Sequence, residues 1–147
     1  MLEQIKAAVF AKYKAEENRA IFLSLFDANK NLLVSNGVIT TDKTLGQLID
    51  ILYNAIVTKH PETQSIVVDI VTETTLQNDV ATLLSVSPAN NGLVILDKGD
   101  KKSGVILPGT TGITNMKTAI TKTKEKFGLS GEVEMYTFKT EKITIGK

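Results

Sequence analysis

Cysteine and tryptophan are absent from these 147 residues, and prolines number only three. Without cysteine there is no disulfide, no thiolate zinc site and no thiol nucleophile. His60 is the single histidine, so a polyhistidine metal centre is excluded, and no metal or cofactor is expected. No apolar run approaches the roughly 18 residues that a membrane-spanning helix needs. The first turns mix Glu3, Lys6, Lys12, Lys14, Glu16 and Glu17 with apolar residues, which is not the apolar core of a secretory signal, so the cytoplasm is the expected location. Charge of one sign is lacking too, with 17 basic against 16 acidic side chains. Residues 1–97 carry seven basic and eleven acidic groups, net −4, whereas residues 98–147 carry ten and five, net +5. That basic half is all lysine, and Arg19 is the lone arginine. The bidentate contacts that phosphate and base recognition favour are therefore missing, and nucleic acid is not an expected partner.

What is present is a globular composition, 42% hydrophobic and 22% charged. The length suits a single domain over residues 1–147. Leu2, Ile5, Val9 and Tyr13 recur at helical steps, predicting a helix over residues 2–17. Residues 20–26 are rich in strand formers, and Asp27 to Asn31 supply a turn before Leu32 to Val34, which reads as a hairpin. Thr44 with Gln47 forms a capping-box pattern ahead of Leu45, Leu48, Ile49, Leu52 and Ile56, and Pro61 stops that helix by Lys59. Residues 65–72 read as an inner strand leading to a threonine-rich turn, with 92–96 and 104–107 as a hairpin pair joined through residues 97–103. Thr114 is placed to cap a further helix containing Met116, Ile120, Thr123 and Phe127, with Gly128 as its left-handed stop. Residues 132–138 alternate as an edge strand. The irregular order of elements predicts an α+β fold, a mainly antiparallel sheet flanked by about three helices.

Phosphate loops, dinucleotide turns, nucleophile elbows and His-Glu-x-x-His are all missing. His60, beside Pro61, reads as a capping or surface residue before a general base. Pro108-Gly109-Thr110-Thr111-Gly112 leads toward a helix and is a weak anion-binding candidate through Gly109, Thr110, Thr111 and Gly112, with plain turn chemistry the simpler account. Asp69 interrupts an apolar strand, and by alternation it shares a face with Val67 and Val71, opposite Ile66, Val68 and Ile70. A solvent-facing or hydrogen-bonded structural role comes before that of a general base. Asp42, Glu73 and Asp79 fall at predicted element ends, where helix capping explains them.

The sequence from Val68-Asp69-Ile70-Val71, through Asn91-Gly92-Leu93-Val94-Ile95 and Ser103-Gly104-Val105-Ile106-Leu107-Pro108, to Lys126-Phe127-Gly128-Leu129 resembles the AMMECR domain family. A first helix, the strand Ile21-Phe22-Leu23-Ser24-Leu25 and the leucine-rich stretch from Leu45 to Ile56 extend the resemblance over nearly the whole chain. It implies the family's α+β fold. The family signature Leu-Arg-Gly-Cys-Ile-Gly stands in register with Leu32-Leu33-Val34-Ser35-Asn36-Gly37, of which only Leu32 and Gly37 match. Ser35 takes the place of the cysteine, and residues 58–64 offer no counterpart of the family's Asp-Pro-Arg-Phe segment. The expectation is a non-catalytic module of otherwise unknown activity, binding a partner protein or small ligand at Leu32, Ser35, Asn36, Gly37 and Asp69. The alternative is an enzyme acting on a nucleotide, RNA or peptide, which requires Ser35 and Asp69 within about 10 Å of one another to share hydrogen-bond geometry.

Overall fold

A computed structural model describes residues 1–38, 42–99, 102–129 and 132–146. The elements in chain order are α1 (Leu2–Phe10), β1 (Ile21–Phe26), β2 (Leu32–Val38), α2 (Leu45–Ala55), β3 (Ser65–Leu76), α3 (Val80–Ser85), β4 (Gly92–Asp97), β5 (Ser103–Ile106), α4 (Met116–Phe127) and β6 (Val133–Gly146). The strands form one six-stranded antiparallel sheet in the order β2-β1-β3-β6-β4-β5, so the fold is α+β as expected. Two compact units emerge: one holds Met1–Val71 and Glu141–Lys147, the other Thr72–Thr140, and the long strands β3 and β6 contribute to both.

In the first unit, β1 lies between β2 and β3. Ile21, Leu23 and Leu25 sit opposite Val38, Asn36 and Val34 on one side and Ile70, Val68 and Ile66 on the other. Because residues directly opposite share a face, this register gathers the apolar side chains on one side of the sheet. There they pack with Ile5 and Val9 of α1 and with Leu45, Leu48, Ile49 and Leu52 of α2. At about 1.5–3 kcal/mol for each large aliphatic side chain taken from water, this cluster is the main source of cohesion in the unit.

The predicted capping box forms. Gln47 N–H donates to Thr44 Oγ1 at 3.2 Å, and Thr44 N–H donates to Gln47 Oε1 at 3.0 Å. Two further free amides of α2 are also occupied, Leu45 N by Glu17 O at 2.8 Å and Gly46 N by Ala15 O at 3.1 Å. Both carbonyls belong to the turn segment after α1, which ends at Phe10 and not at residue 17 as the apolar period predicts. His60 closes the far end of this helical stretch, its Nδ1 donating to Ile56 O at 2.8 Å, as the capping reading expects.

In the second unit, Leu93 and Ile95 of β4 cluster with Leu83 of α3 and with Met116 and Ala119 of α4. β4 pairs β5 on one side and β6 on the other. The short helix α3 goes beyond the elements the sequence predicts, and Asp79 caps it, in keeping with its expected place at an element end. Its Oδ2 accepts from Thr82 N at 3.3 Å and from Thr82 Oγ1 at 2.7 Å. The cap of α4 is Asn115, whose Oδ1 accepts from Thr118 N at 2.8 Å, one residue after the predicted Thr114. Gly128 ends that helix in the left-handed region at φ 66°, as predicted. The threonine-rich segment after Thr72 is strand and not turn, since β3 continues to Leu76, and β6 runs to Gly146, well past the predicted residue 138. β-branched residues tolerate an exposed ladder well enough to prolong it. Asp100 and Lys101 of the predicted β4–β5 connection lie outside the described residues.

Replacing Thr44 by Ala removes one arm of the capping box, and urea denaturation should show a loss of about 1 kcal/mol with an unchanged slope. No measurable loss would mean that the carbonyls of Ala15 and Glu17 suffice for this helix start.

Candidate functional site

The residues in register with the family signature form β2, the outermost strand of the sheet in the first unit. Ser35 stands opposite Ser24, which stands opposite Val67; one row along, Gly37 stands opposite Phe22, which stands opposite Asp69. Ser35, Gly37 and Asp69 therefore share the face turned away from α1 and α2. Asn36, one residue out of step, lies on the other face, and Leu32 at the strand's start is 58% exposed. The predicted grouping of Asp69 with Val67 and Val71 follows from the same alternation.

Three local contacts define the chemistry. Ser35 Oγ and Ser24 Oγ are 3.0 Å apart and share a hydrogen bond. The ring of Phe22 lies against Gly37 so closely that a Cβ there would fall 2.5 Å from Phe22 Cδ1 and 2.3 Å from Ile21 O. Only glycine fits this row. Asp69 is 1% exposed, and its Oδ1 accepts from Lys142 Nζ at 2.6 Å, with the lysine side chain 45% exposed. The carboxylate is buried while its counter-ion reaches toward water, so only one of the two charges bears a large desolvation cost.

Two strand spacings and a two-residue offset put the Cα atoms of Ser35 and Asp69 about 12 Å apart. Strand β1, with Ser24 and Phe22 on this face, lies between them. Ser35 and Asp69 thus share a face but no hydrogen bond. His60, held by Ile56, belongs to the end of the α2 helical stretch and not to this corner. Among the described residues no group of three His, Asp or Glu side chains is placed to hold a metal ion.

The Pro108–Gly112 segment uses its own polar groups. Gly109 N donates to Pro88 O at 3.0 Å, Thr110 Oγ1 to Leu107 O at 2.6 Å, and Ile113 N to Thr110 O at 3.2 Å. Positive φ at Gly109 (74°) and Gly112 (86°) is turn geometry, and α4 begins only at Met116 behind its Asn115 cap. The weak anion-binding candidate therefore has the features of a plain turn.

Sequence reasoning did not find two further features. In the first unit, a cavity of about 650 Å³ is lined by the segment from Phe10 to Glu17. Beside it Tyr13 OH donates to Glu141, Lys12 pairs with the same carboxylate, and Arg19 stacks 4.9 Å from the centre of the Tyr13 ring. Burial and then the Glu141 hydrogen bond push the Tyr13 hydroxyl up to about 12, while Lys12 and Tyr13 hold Glu141 below the usual carboxylate range. In the second unit, a cavity of about 330 Å³ is bounded by Leu76, Asp79, Val80, Lys98, Glu134 and Met135. Neither contains a signature residue, and the partners come from segments too distant in sequence for spacing to reveal them.

No protein-family model matches this chain, and no curated protein matches it. Among solved structures it is similar to the crystal structure of the uncharacterized protein PH0010 from Pyrococcus horikoshii, with a TM-score of 0.75 and 16% identity over 97% of this chain and 87% of that one. At that identity the likeness shows a common fold. None of the described helices is long and apolar enough to cross a membrane.

Changing Lys142 to Met removes the ion-pair partner of a buried carboxylate and should cost about 1–3 kcal/mol, less than for a fully buried pair because the lysine is half in water. Adding Asp69→Asn should recover part of the loss in a double-mutant cycle. A cost no larger than an ordinary surface change, about 0.5 kcal/mol, would show that the pair does not hold the strand. Tyr13 gives a second check. Its hydroxyl keeps its proton in the folded chain up to about 12 but loses it near 10.0 when unfolded. The folded state binds the extra proton between those values, so this contribution is intact below pH 10 and drains away as pH rises to about 12. Tyr13→Phe should flatten that alkaline fall in a denaturation series.

Proposed function

We propose that this chain is a divergent AMMECR-like domain that works in the cytoplasm as a non-catalytic binding module, taking a partner protein or a small ligand at the corner made by Leu32, Ser35, Asn36, Gly37 and Asp69. One observation carries the reading: the polar groups of the corner are engaged with local neighbours, Ser35 with Ser24, Asn36 with Gly37 and Asp69 with Lys142. A serine nucleophile needs a base within hydrogen-bond reach, and among the described residues the Ser35 hydroxyl meets another hydroxyl, that of Ser24. What the corner offers instead is surface. Leu32, Ser35 and Asn36 are exposed on a strand whose outer side has no neighbour in the sheet order. Over its seven residues β2 carries no charge and no proline, the usual guards of an open strand edge. Partners that add to such an edge gain affinity from main-chain hydrogen bonds and selectivity from alternate side chains.

The enzyme alternative, with a nucleotide, RNA or peptide as substrate, calls for Ser35 and Asp69 to act together. Their separation on the sheet and their separate hydrogen-bond partners favour the binding module.

Leu32→Glu tests the site with little risk to the fold, since the side chain is mostly in water. The wild-type chain should retain a partner or ligand from its native extract at constant stoichiometry. Leu32→Glu should lose it while keeping the same melting temperature. Turnover of a nucleotide, RNA or peptide panel that disappears in Ser35→Ala would overturn the non-catalytic reading.

A further inference from the structure

The sequence contains two Asn-Gly steps, Asn36-Gly37 and Asn91-Gly92, and the structure treats them differently. Such a step is chemically special. The amide nitrogen of the glycine is unshielded by a side chain and can attack the asparagine Cγ. At Asn36 the two groups are held side by side: Gly37 N–H donates to the Asn36 carboxamide oxygen Oδ1 at 2.8 Å. Holding the nitrogen next to the side-chain carboxamide shortens the conformational search that ring closure requires. Asn36 is exposed, and its strand is paired on one side only, so water can enter and the chain can yield. Asn91 is held otherwise. Its Nδ2 and its own backbone N–H both donate to Ser87 O, each at 3.1 Å. The following Gly92 is buried in a strand flanked on both sides, so close beneath the Phe138 ring that a Cβ would fall 2.2 Å from Cζ.

We infer that Asn36 is a site of spontaneous covalent modification by deamidation, and that Asn91 is the protected copy of the same dipeptide. In the step, the Gly37 N to Asn36 Cγ bond forms, the Cγ–Nδ2 bond breaks, and the proton from Gly37 N leaves with the departing ammonia. Water then opens the cyclic imide at either carbonyl, giving aspartate or isoaspartate. The net change is loss of ammonia and gain of water, and no oxidant or reductant takes part. Either product puts a negative charge into a strand that has none. Isoaspartate also inserts an extra backbone carbon between Asn36 and Gly37, which drives Gly37 and Val38 out of register with Phe22 and Ile21. The close fit of Phe22 on Gly37 cannot survive that shift unchanged. The inference stands on the geometry of the two steps and does not depend on what β2 binds.

The test is peptide mapping by mass spectrometry of the full chain after incubation at mildly alkaline pH, native and in parallel in urea. In urea the two peptides should gain their single mass unit at similar rates, since the dipeptides are the same. In the native chain the Asn36 peptide should convert several-fold faster than the Asn91 peptide, and labelling with an isoaspartate methyltransferase should follow it. Asn36→Gln, whose longer side chain disfavours the five-membered ring, should abolish conversion of that peptide alone. Native conversion at Asn91 equal to or ahead of Asn36, or a native Asn36 that stays intact while both convert in urea, overturns the inference.

Discussion

The two-faced character of β1 is the constraint from which the first unit is built. Its odd residues, Ile21, Leu23 and Leu25, close the core under α1 and α2, and its even residues, Phe22 and Ser24, are thereby committed to the opposite face. Period two allows no compromise, because a slip of one residue would exchange the two sets along the whole strand. Once β1 is fixed, its neighbours follow. Gly37 must come to Phe22 because no other residue leaves room, and Asp69 must come to the other side of the same row. The candidate corner is thus a by-product of core packing on the far side of the sheet.

Asp69 shows how such a by-product is tolerated. A carboxylate at 1% exposure is costly unless it is compensated, and the compensation comes from Lys142, 73 residues further along the chain. The sequence does reveal that Asp69 breaks an apolar run and which residues share its face. Its counter-ion was not legible, since nothing about Lys142 separates it from the other lysines of the basic half. The excess of acid in one half and base in the other gives the sign of such pairings but not their partners. The reverse pairing also occurs, as Lys12 reaches forward to Glu141.

Elements were legible where local rules and tertiary packing agree. Thr44 and Gln47 announce α2, Gly128 announces the end of α4, and the apolar alternation of residues 21–26 announces β1, each because the signal is satisfied within a few residues. The failures lie where a distant partner outbids the local pattern. Tyr13 continues the helical period of Leu2, Ile5 and Val9, yet its hydroxyl and ring are claimed by Glu141 and Arg19, and the carbonyls around it are claimed by α2. The apolar period was real, but it described a packing preference and not the hydrogen bonds. The long ends of β3 and β6 are a second case, since their exposed threonines, glutamates and lysines carry no burial pattern to read, and only ladder pairing makes them strands.

The remaining question is what a corner with this geometry is good for. A reactive site keeps a group out of its ordinary partnership so that a substrate can supply the missing contact. Here the hydroxyl of Ser35 has a neighbour, the Asn36 amide oxygen is spent on the next residue, and Asp69 is tied to a lysine. Such groups have little driving force to engage a small polar substrate, because each new bond would first break an existing one. The outer edge of β2 differs, since main-chain groups on an outermost strand lack a neighbouring strand that could satisfy them. Under the proposed binding role, affinity at this corner would come more readily from backbone pairing than from side-chain chemistry, and a partner that offers an extended segment would gain most from it. The same openness leaves the Asn36-Gly37 backbone accessible to water, so the proposed recognition and the proposed chemical ageing would share one physical cause.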